Sequence, residues 1–240
     1  MNPASSLERI RIVLCETTHP GNIGATARAM KTMGLRDLRL VNPRYFPHPD
    51  ATARAAGASD ILNTAAVCSN LDEALLGTVT AIGCSARKRD LSLSEVSFRE
   101  AANLAMGEYV GQDVAMVFGT EMSGLTTQEL NKCQYIAYIP TNPEYSSLNL
   151  AAAVQVIAYE LRLATNNSSE RLPREYKLAK FEEVEFLYQD FEQKMIATGF
   201  LNPEEPKRLM QRIRRMFARS KLERQEVNIL RGFLNAIEKH

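Results

Sequence analysis

Between Ile10 and Ala164, short apolar runs alternate with stretches of helical periodicity. Few architectures tolerate that alternation. Buried strands that take turns with helices build a mostly parallel sheet with helices on its faces. Ile10 to Leu14 reads as a buried strand, Asn22 to Met33 as a helix ended by Gly34, and Leu38 to Val41 as the next strand. Further strands are expected at Val79 to Ile82, Val114 to Phe118 and Tyr135 to Ile139, with helices at Leu71 to Leu76, Ser94 to Met106 and Thr127 to Lys132. A longer helix from Leu148 to Ala164 closes the region, with Leu150, Val154, Ile157 and Leu161 as its apolar stripe. Residues 1–165 are therefore expected to form an α/β domain.

The periodicity changes after Thr165 to Glu170, a polar run that reads as a linker. Phe181, Val184, Tyr188, Phe191 and Met195 recur at helical spacing. So do Leu209, Ile213 and Met216, and then Val227, Leu230, Leu234 and Ile237. Amphipathic helices without an intervening strand predict a small appended helical domain over residues 166–240.

Several classes drop out on composition. The 240 residues carry 29 basic and 28 acidic side chains, a net charge of +1, which excludes a uniformly basic nucleic-acid coat. No run approaches the roughly 20 apolar residues of a membrane span, and Met1 to Leu7 lack a signal peptide's basic start and apolar stretch. No membrane partner is expected. Cys15, Cys68, Cys84 and Cys133 lie far apart, with no CxxC pair and no nearby histidines, so reduced thiols in a cytoplasmic protein are expected rather than zinc or disulfides.

The total charge hides an asymmetry. Residues 1–165 hold 14 basic and 16 acidic side chains, and residues 166–240 hold 15 and 12. Within the tail, residues 182–205 carry seven acids and one base, whereas residues 207–224 carry eight bases and one acid. Arg208, Arg212, Arg215 and Arg219 follow helical spacing. Such a stripe is either a solvated face that pairs with the acidic helix before it or a strip for phosphates.

Three segments look chemical. Thr17 to Arg28 joins the first strand to a helix, at the end of the sheet where α/β folds place ligands. Asn22 suits a helix cap there, and Gly24, with no side chain, leaves room beside Arg28, four residues on. Val117 to Leu125 holds Gly119 and Gly124 at phosphate-loop spacing, but Leu125 and Thr126 stand where a P-loop needs lysine and then serine or threonine. Nucleotide hydrolysis is excluded on that ground, and the absence of GxGxxG removes the usual dinucleotide fingerprint. Ile139 to Leu150 is a stiff, proline-containing loop leading into the long helix, with Ser146 or Ser147 expected as its cap. A weaker segment, Gly83 to Arg87, puts small residues after a strand, where a flat ligand can approach the backbone.

Asn22-x-Gly24-x3-Arg28, then Phe118-Gly119-x-Glu121-x2-Gly124-Leu125, then Ile139-Pro140 with Ser147-Leu148-Asn149, resemble the three ordered motifs of the SpoU-type RNA 2′-O-ribose methyltransferases of the SPOUT superfamily. Arg28-Ala-Met-Lys-Thr-Met-Gly34, Asn142-Pro-Glu-Tyr-Ser-Ser-Leu-Asn149 and Leu222 to Phe233 make the likeness closer to members that modify the pyrimidine at position 32 of the tRNA anticodon loop. The resemblance implies a trefoil-knotted α/β fold, a homodimer, S-adenosylmethionine as cofactor and no metal. It assigns cofactor contacts to Cys84, Ser85, Ala86, Gly119, Ile139, Ser146, Ser147 and Leu148. It gives Arg28 the central catalytic role, with Asn22, Glu121 and Asn149 fixing Arg28 and the ribose, and with Glu121 as ion partner of Arg28. The substrate would be tRNA and not DNA, because the reaction needs a ribose 2′-hydroxyl. The motifs alone also allow a ribosomal RNA methyltransferase or a catalytically silent RNA-binding protein of the same fold; the helical tail favours tRNA.

Overall fold

The computed structural model describes residues 6–86, 93–165 and 177–237. Of the linker expected over Thr165 to Glu170, Thr165 is buried at the end of the last helix of the first unit, its Oγ1 donating to the Arg162 carbonyl at 2.7 Å, and the rest, like Arg87, lies outside the described residues. The chain divides into two compact units, Met1–Leu75 with Thr80–Pro173, and Leu76–Val79 with Arg174–His240.

In the first unit, strands β1 (Ile10–Cys15), β2 (Asp37–Val41), β3 (Ala66–Cys68), β4 (Thr80–Cys84), β5 (Ser94–Ser97), β6 (Val114–Phe118) and β7 (Tyr135–Tyr138) form one sheet in the order β3-β2-β1-β6-β4-β7-β5. Every pairing is parallel. β1, β4 and β6 are buried along their whole length, which suits parallel strands covered on both faces. Even Arg11 of β1 is only 8% exposed. It is tolerated there because Nε donates to Asp37 Oδ2 at 2.9 Å and Nη1 to the Ala74 carbonyl at 2.6 Å. The register brings strand ends level: Leu14 and Cys84 both pair with Phe118, and Cys84 also with Ala137. The loops that follow β1, β4, β6 and β7 thus leave the sheet side by side.

Helix α1 (Pro20–Met33) follows β1. Its cap is not Asn22 but His19, whose Nδ1 accepts from Gly21 N at 3.0 Å, with Pro20 pre-set at the first helical position. Gly34, at φ 86°, ends the helix as expected. Helices α2 (Pro49–Ala55), α3 (Ser59–Thr64) and α4 (Leu71–Leu75) come next. The space over Gly24 is not open to a ligand, because α2 fills it: a Cβ on Gly24 would stand 2.0 Å from the Ala51 carbonyl oxygen. The glycine serves a close helix contact.

The helix expected over Ser94 to Met106 is instead the edge strand β5, then α5 (Phe98–Asn103), then a π-helical turn at Leu104–Glu108. A reciprocal Ser97–Glu100 capping box fixes the helix start at Phe98 and frees the residues before it to pair with β7. After α6 (Thr127–Leu130), helix α7 (Leu150–Ala164) buries Leu150, Val154, Ile157 and Leu161. Neither Ser146 nor Ser147 caps α7; Asn149 does, its Oδ1 accepting from Ala151 N at 2.9 Å and Ala152 N at 3.4 Å.

The second unit consists of α8 (Phe181–Ala197), α9 (Leu209–Ser220) and α10 (Arg224–Ile237), with Leu76–Val79 joined to it. Phe181 N donates to the Thr78 carbonyl at 2.7 Å and Gly77 N to Glu182 Oε2 at 2.9 Å. Its core is Ala179, Leu187, Val227 and Leu234, with Val184, Phe191, Leu222 and Leu230 packed around them. α9 has no buried residue. Met216, expected on its apolar stripe, is 50% exposed, and Phe217 packs instead, 5.4 Å from Phe191 between ring centroids.

Candidate functional site

The level strand ends bring the three motif segments together. Glu121, in the turn after β6, accepts from Thr18 N at 3.0 Å, Thr18 Oγ1 at 2.9 Å, His19 N at 3.1 Å and Asn22 Nδ2 at 2.9 Å. Asn22 Oδ1 in turn accepts from Asn149 Nδ2 at 2.9 Å. A continuous chain of side-chain hydrogen bonds therefore runs from the turn after β6, through the first turn of α1, to the cap of α7. Because His19 takes over capping, the Asn22 amide is available for this chain.

Burial alone would raise the Glu121 carboxyl. The donated hydrogen bonds from Asn22, Thr18 and His19 outweigh it and hold the group down at about 2. Glu121 is an anion at neutral pH with its lone pairs engaged, so it is a poor proton acceptor and a good anchor.

Glu121 does not pair with Arg28. It is drawn to the backbone N–H groups of the β1–α1 turn, whereas Arg28 lies farther along α1, exposed and without an ion pair to any described residue. Asn22, Glu121 and Asn149 thus hold one another and the turn at Thr18, and they do not hold Arg28. Lys31, the next cation along α1, is engaged by Asp60 at 2.8 Å.

Beside this network lies a cavity of about 280 Å³. All eight residues expected at a cofactor line it: Cys84, Ser85, Ala86, Gly119, Ile139, Ser146, Ser147 and Leu148. Phe118, the first residue of the second motif, lines it as well, and so do Phe98, Thr120, Thr141 and Ala153, which the sequence did not single out. Phe98 and Ala153 sit on helix faces whose periodicity says only that they are inward; Thr120 and Thr141 belong to motif segments and were within reach of a sequence reading. Glu121 is the one charged residue among the described lining residues. Gly119 is required by the turn itself, since a Cβ there would stand 2.1 Å from the Gly124 carbonyl carbon. Gly83, just before the cavity, makes room for Leu130 and Cys133 rather than for a ligand. Burial pushes the Cys84 thiol well up and that of Cys133 to about 12, so Cys84 offers the cavity a neutral wall and not a thiolate.

In the helical unit three acids of α8 pair with bases outside the stripe. Arg214 Nη2 donates to Glu185 Oε2 at 2.7 Å, with its guanidinium 4.4 Å from the Tyr188 ring centroid. Arg224 pairs with Glu183 at 2.8 Å and Arg231 with Asp190 at 2.6 Å. Arg208, Arg212, Arg215 and Arg219 are all exposed and pair with no described acid. No helix among the described residues is long and apolar enough to cross a membrane.

Comparison with known proteins agrees in both units. The model of the SpoU rRNA Methylase family matches residues 9–159, and the model of the TrmJ tRNA methyltransferase C-terminal domain matches residues 182–240. The tRNA (cytidine/uridine/adenosine-2′-O-)-methyltransferase TrmJ of Pseudomonas aeruginosa (strain UCBPP-PA14) is 47% identical over 247 residues, covering 97% of this chain and 95% of its own. The tRNA (cytidine/uridine-2′-O-)-methyltransferase TrmJ of Escherichia coli (strain K12) is 49% identical over 238 residues, covering 97% and 96%. Among solved structures, TrmJ from Z. mobilis ZM4 superposes with a TM-score of 0.85 at 32% identity, over 95% of this chain and 98% of that one.

Proposed function

This chain belongs to the SpoU rRNA methylase family, and we propose that it is a 2′-O-methyltransferase of tRNA that uses S-adenosylmethionine and acts on the pyrimidine at anticodon-loop position 32. The observation that carries the reading is the Glu121–Asn22–Asn149 chain, which ties the three motifs into one site beside one cavity. Likeness to the tRNA enzymes across the helical tail favours tRNA over ribosomal RNA.

The cavity suits the cofactor in its chemistry. Ile139, Leu148 and Phe118 offer apolar walls for a heterocycle, Ser85, Ser146 and Ser147 offer hydroxyls, and the volume approaches that of small-ligand sites. S-adenosylmethionine, when bound, supplies an electrophilic methyl carbon and leaves as a neutral thioether. The chain's own task would be to hold a ribose 2′-hydroxyl facing that carbon and to let its proton leave. The hydroxyl proton passes to a substrate phosphate oxygen or to water, since Glu121 is committed to its four donors. A guanidinium has no basic lone pair to offer, so Arg28 acts through its charge and its donors. Its guanidinium orients the ribose through a neighbouring phosphate and steadies charge that develops on the attacking oxygen. Alignment is the main contribution, and the hydrogen-bonded turn at Thr18 and Asn22 provides a fixed wall for it.

The reading includes a homodimer and a cytoplasmic setting. α7 turns Ala152, Val156, Tyr159 and Leu163 outward as an apolar stripe, with Tyr159 50% and Leu163 41% exposed, and a second copy would cover it. Four free, buried cysteines fit a reducing compartment. It also includes a trefoil knot, which suits a chain that passes from β5 across β4 to β6 and back to β7. Residues 166–240 act as the RNA-binding domain, with Arg208, Arg212, Arg215 and Arg219 as its phosphate contacts.

Arg28→Ala tests the catalytic part. Cofactor binding by calorimetry is expected to stay within twofold, while methyl transfer to tRNA falls by roughly 10³-fold, about 4 kcal/mol of transition-state stabilisation. Near-normal turnover would remove Arg28 from the mechanism. Nuclease digestion and mass spectrometry of the methylated tRNA test the position.

A further inference from the structure

The turn between β2 and α2 displays an aromatic ring next to the site. Tyr45 is 49% exposed. The Arg44 guanidinium lies 5.4 Å from its ring centroid, and the His48 ring lies 6.3 Å away, tilted by 54°. His48 is itself fixed, because its Nδ1 caps α2 by accepting from Asp50 N at 3.1 Å. The turn is tied to the reaction loop: Arg44 N donates to the Thr17 carbonyl at 3.0 Å, one residue before the Thr18 that binds Glu121. On the other side, α2 lays Arg54 across the start of α1, with its Cγ 3.5 Å from where a Cβ on Gly21 would stand. Arg44 and Arg54 are exposed, and neither forms an ion pair with a described residue. Asp50 faces His48 at 3.8 Å, and Glu121 is engaged by its four donors.

An exposed ring braced by a guanidinium, with a second exposed arginine on the helix that follows, matches the chemistry of an unstacked nucleotide. A base stacks on the ring, and the phosphates on either side meet the arginines. We propose that Arg44, Tyr45 and Arg54 form a subsite for the nucleotide adjacent to the one methylated. This inference rests on the RNA-methyltransferase reading. Once the target ribose lies against Thr18 and Asn22, a neighbouring nucleotide of the same strand must run over the adjoining loop, and that loop carries Arg44 and Tyr45. The occupant is a single strand of the substrate, since a base stacked inside a duplex has no free face for the ring.

The test uses the full-length protein, bulk tRNA and S-adenosylmethionine. Tyr45→Ala is expected to raise the tRNA KM about tenfold, the loss of one base stack, with Tyr45→Phe within twofold of wild type. Arg44→Gln and Arg54→Gln should each flatten the dependence of log Kd for tRNA on log salt by about 0.7, the value for one phosphate on a single strand. Cofactor Kd by calorimetry should be the same in all four variants, which separates loss of RNA contact from collapse of the site. An unchanged KM in Tyr45→Ala, or unchanged slopes in both arginine variants, while the wild type methylates tRNA, overturns the subsite and leaves the methyltransferase reading standing. A wild type that neither binds nor methylates tRNA overturns both.

Discussion

The two units use charge in opposite ways. Near the site in the α/β unit, Glu121, Asn22 and Asn149 turn their polar atoms on one another and on fixed backbone groups. In the helical unit, Arg214, Arg224 and Arg231 pair with Glu185, Glu183 and Asp190, and Arg208, Arg212, Arg215 and Arg219 stay in solvent. The first arrangement fixes positions and the second leaves charge on offer. A reaction that needs one aligned hydroxyl calls for the former, and a grip on a polyanion for the latter. Packing differs in the same sense, with whole strands buried in one unit and a helix without a buried residue in the other.

A pair of glycine substitutions probes that difference most strongly. In Gly24→Ala the new methyl collides with the Ala51 carbonyl, so α1 and α2 must part, at an expected cost of about 3 kcal/mol. Gly232 of α10 meets nothing within 4 Å, and Gly232→Ala should stabilise by about 0.5–1 kcal/mol through helix propensity alone. Denaturant titration of the two variants reads both. Equal and small effects would erase the contrast in packing.

The arginine stripe probes the difference in charge. Changing Arg208, Arg212, Arg215 and Arg219 together to glutamine should weaken tRNA binding about 100-fold near physiological salt and flatten the salt slope by about 3. Arg214→Gln is the control: it breaks the Glu185 pair and the contact with Tyr188, so it should lower stability and leave the slope alone. Unchanged binding in the quadruple variant, measured by filter retention across salt, would reduce the stripe to a solvated face.

Much of this was legible in the sequence where burial is uniform. The run of β6 is apolar throughout and that of β1 apart from Arg11, and a fully buried strand has little else it can be. Ser94 to Ser97 is polar and half-exposed, so nothing in it announces β5; only pairing with β7 makes it a strand. Helices α2 and α3 lie in a stretch of alanine and polar residues without a clear apolar period, and Gly24 of α1 gives α2 a close contact at Ala51. In the site, the residues that the resemblance assigned to a cofactor line one cavity, since segments that leave neighbouring strand ends must meet. Partner choice was not legible. Opposite charge suggested Glu121 with Arg28, but a carboxylate facing two backbone N–H groups, a hydroxyl and an amide is already satisfied. The caps went the same way: His19 and Asn149 win over Asn22 and the serines because each stands directly before its helix.

The smallest expected effect bears on how firmly that carboxylate is held. Glu121 sits at about 2 in the folded chain against an ordinary 4.5, so the folded state binds its proton less readily than the unfolded one. A depressed carboxyl contributes stability that is fully present above pH 4.5 and is lost as pH falls toward 2. The shift would correspond to roughly 3 kcal/mol for a sequestered group, but Glu121 is partly open to solvent, and screening brings the expected contribution to about 1 kcal/mol. Glu121→Gln isolates it. Exposed acids such as Glu73 and Glu100 are also held low, by their serine partners, but they are common to both proteins and cancel in the difference. The stability gap between wild type and Glu121→Gln should therefore be constant from pH 7 to about 5 and narrow between 4.5 and 2. A gap that does not change with pH would mean that shape alone anchors the turn at Thr18 and that the charge of Glu121 adds nothing to it.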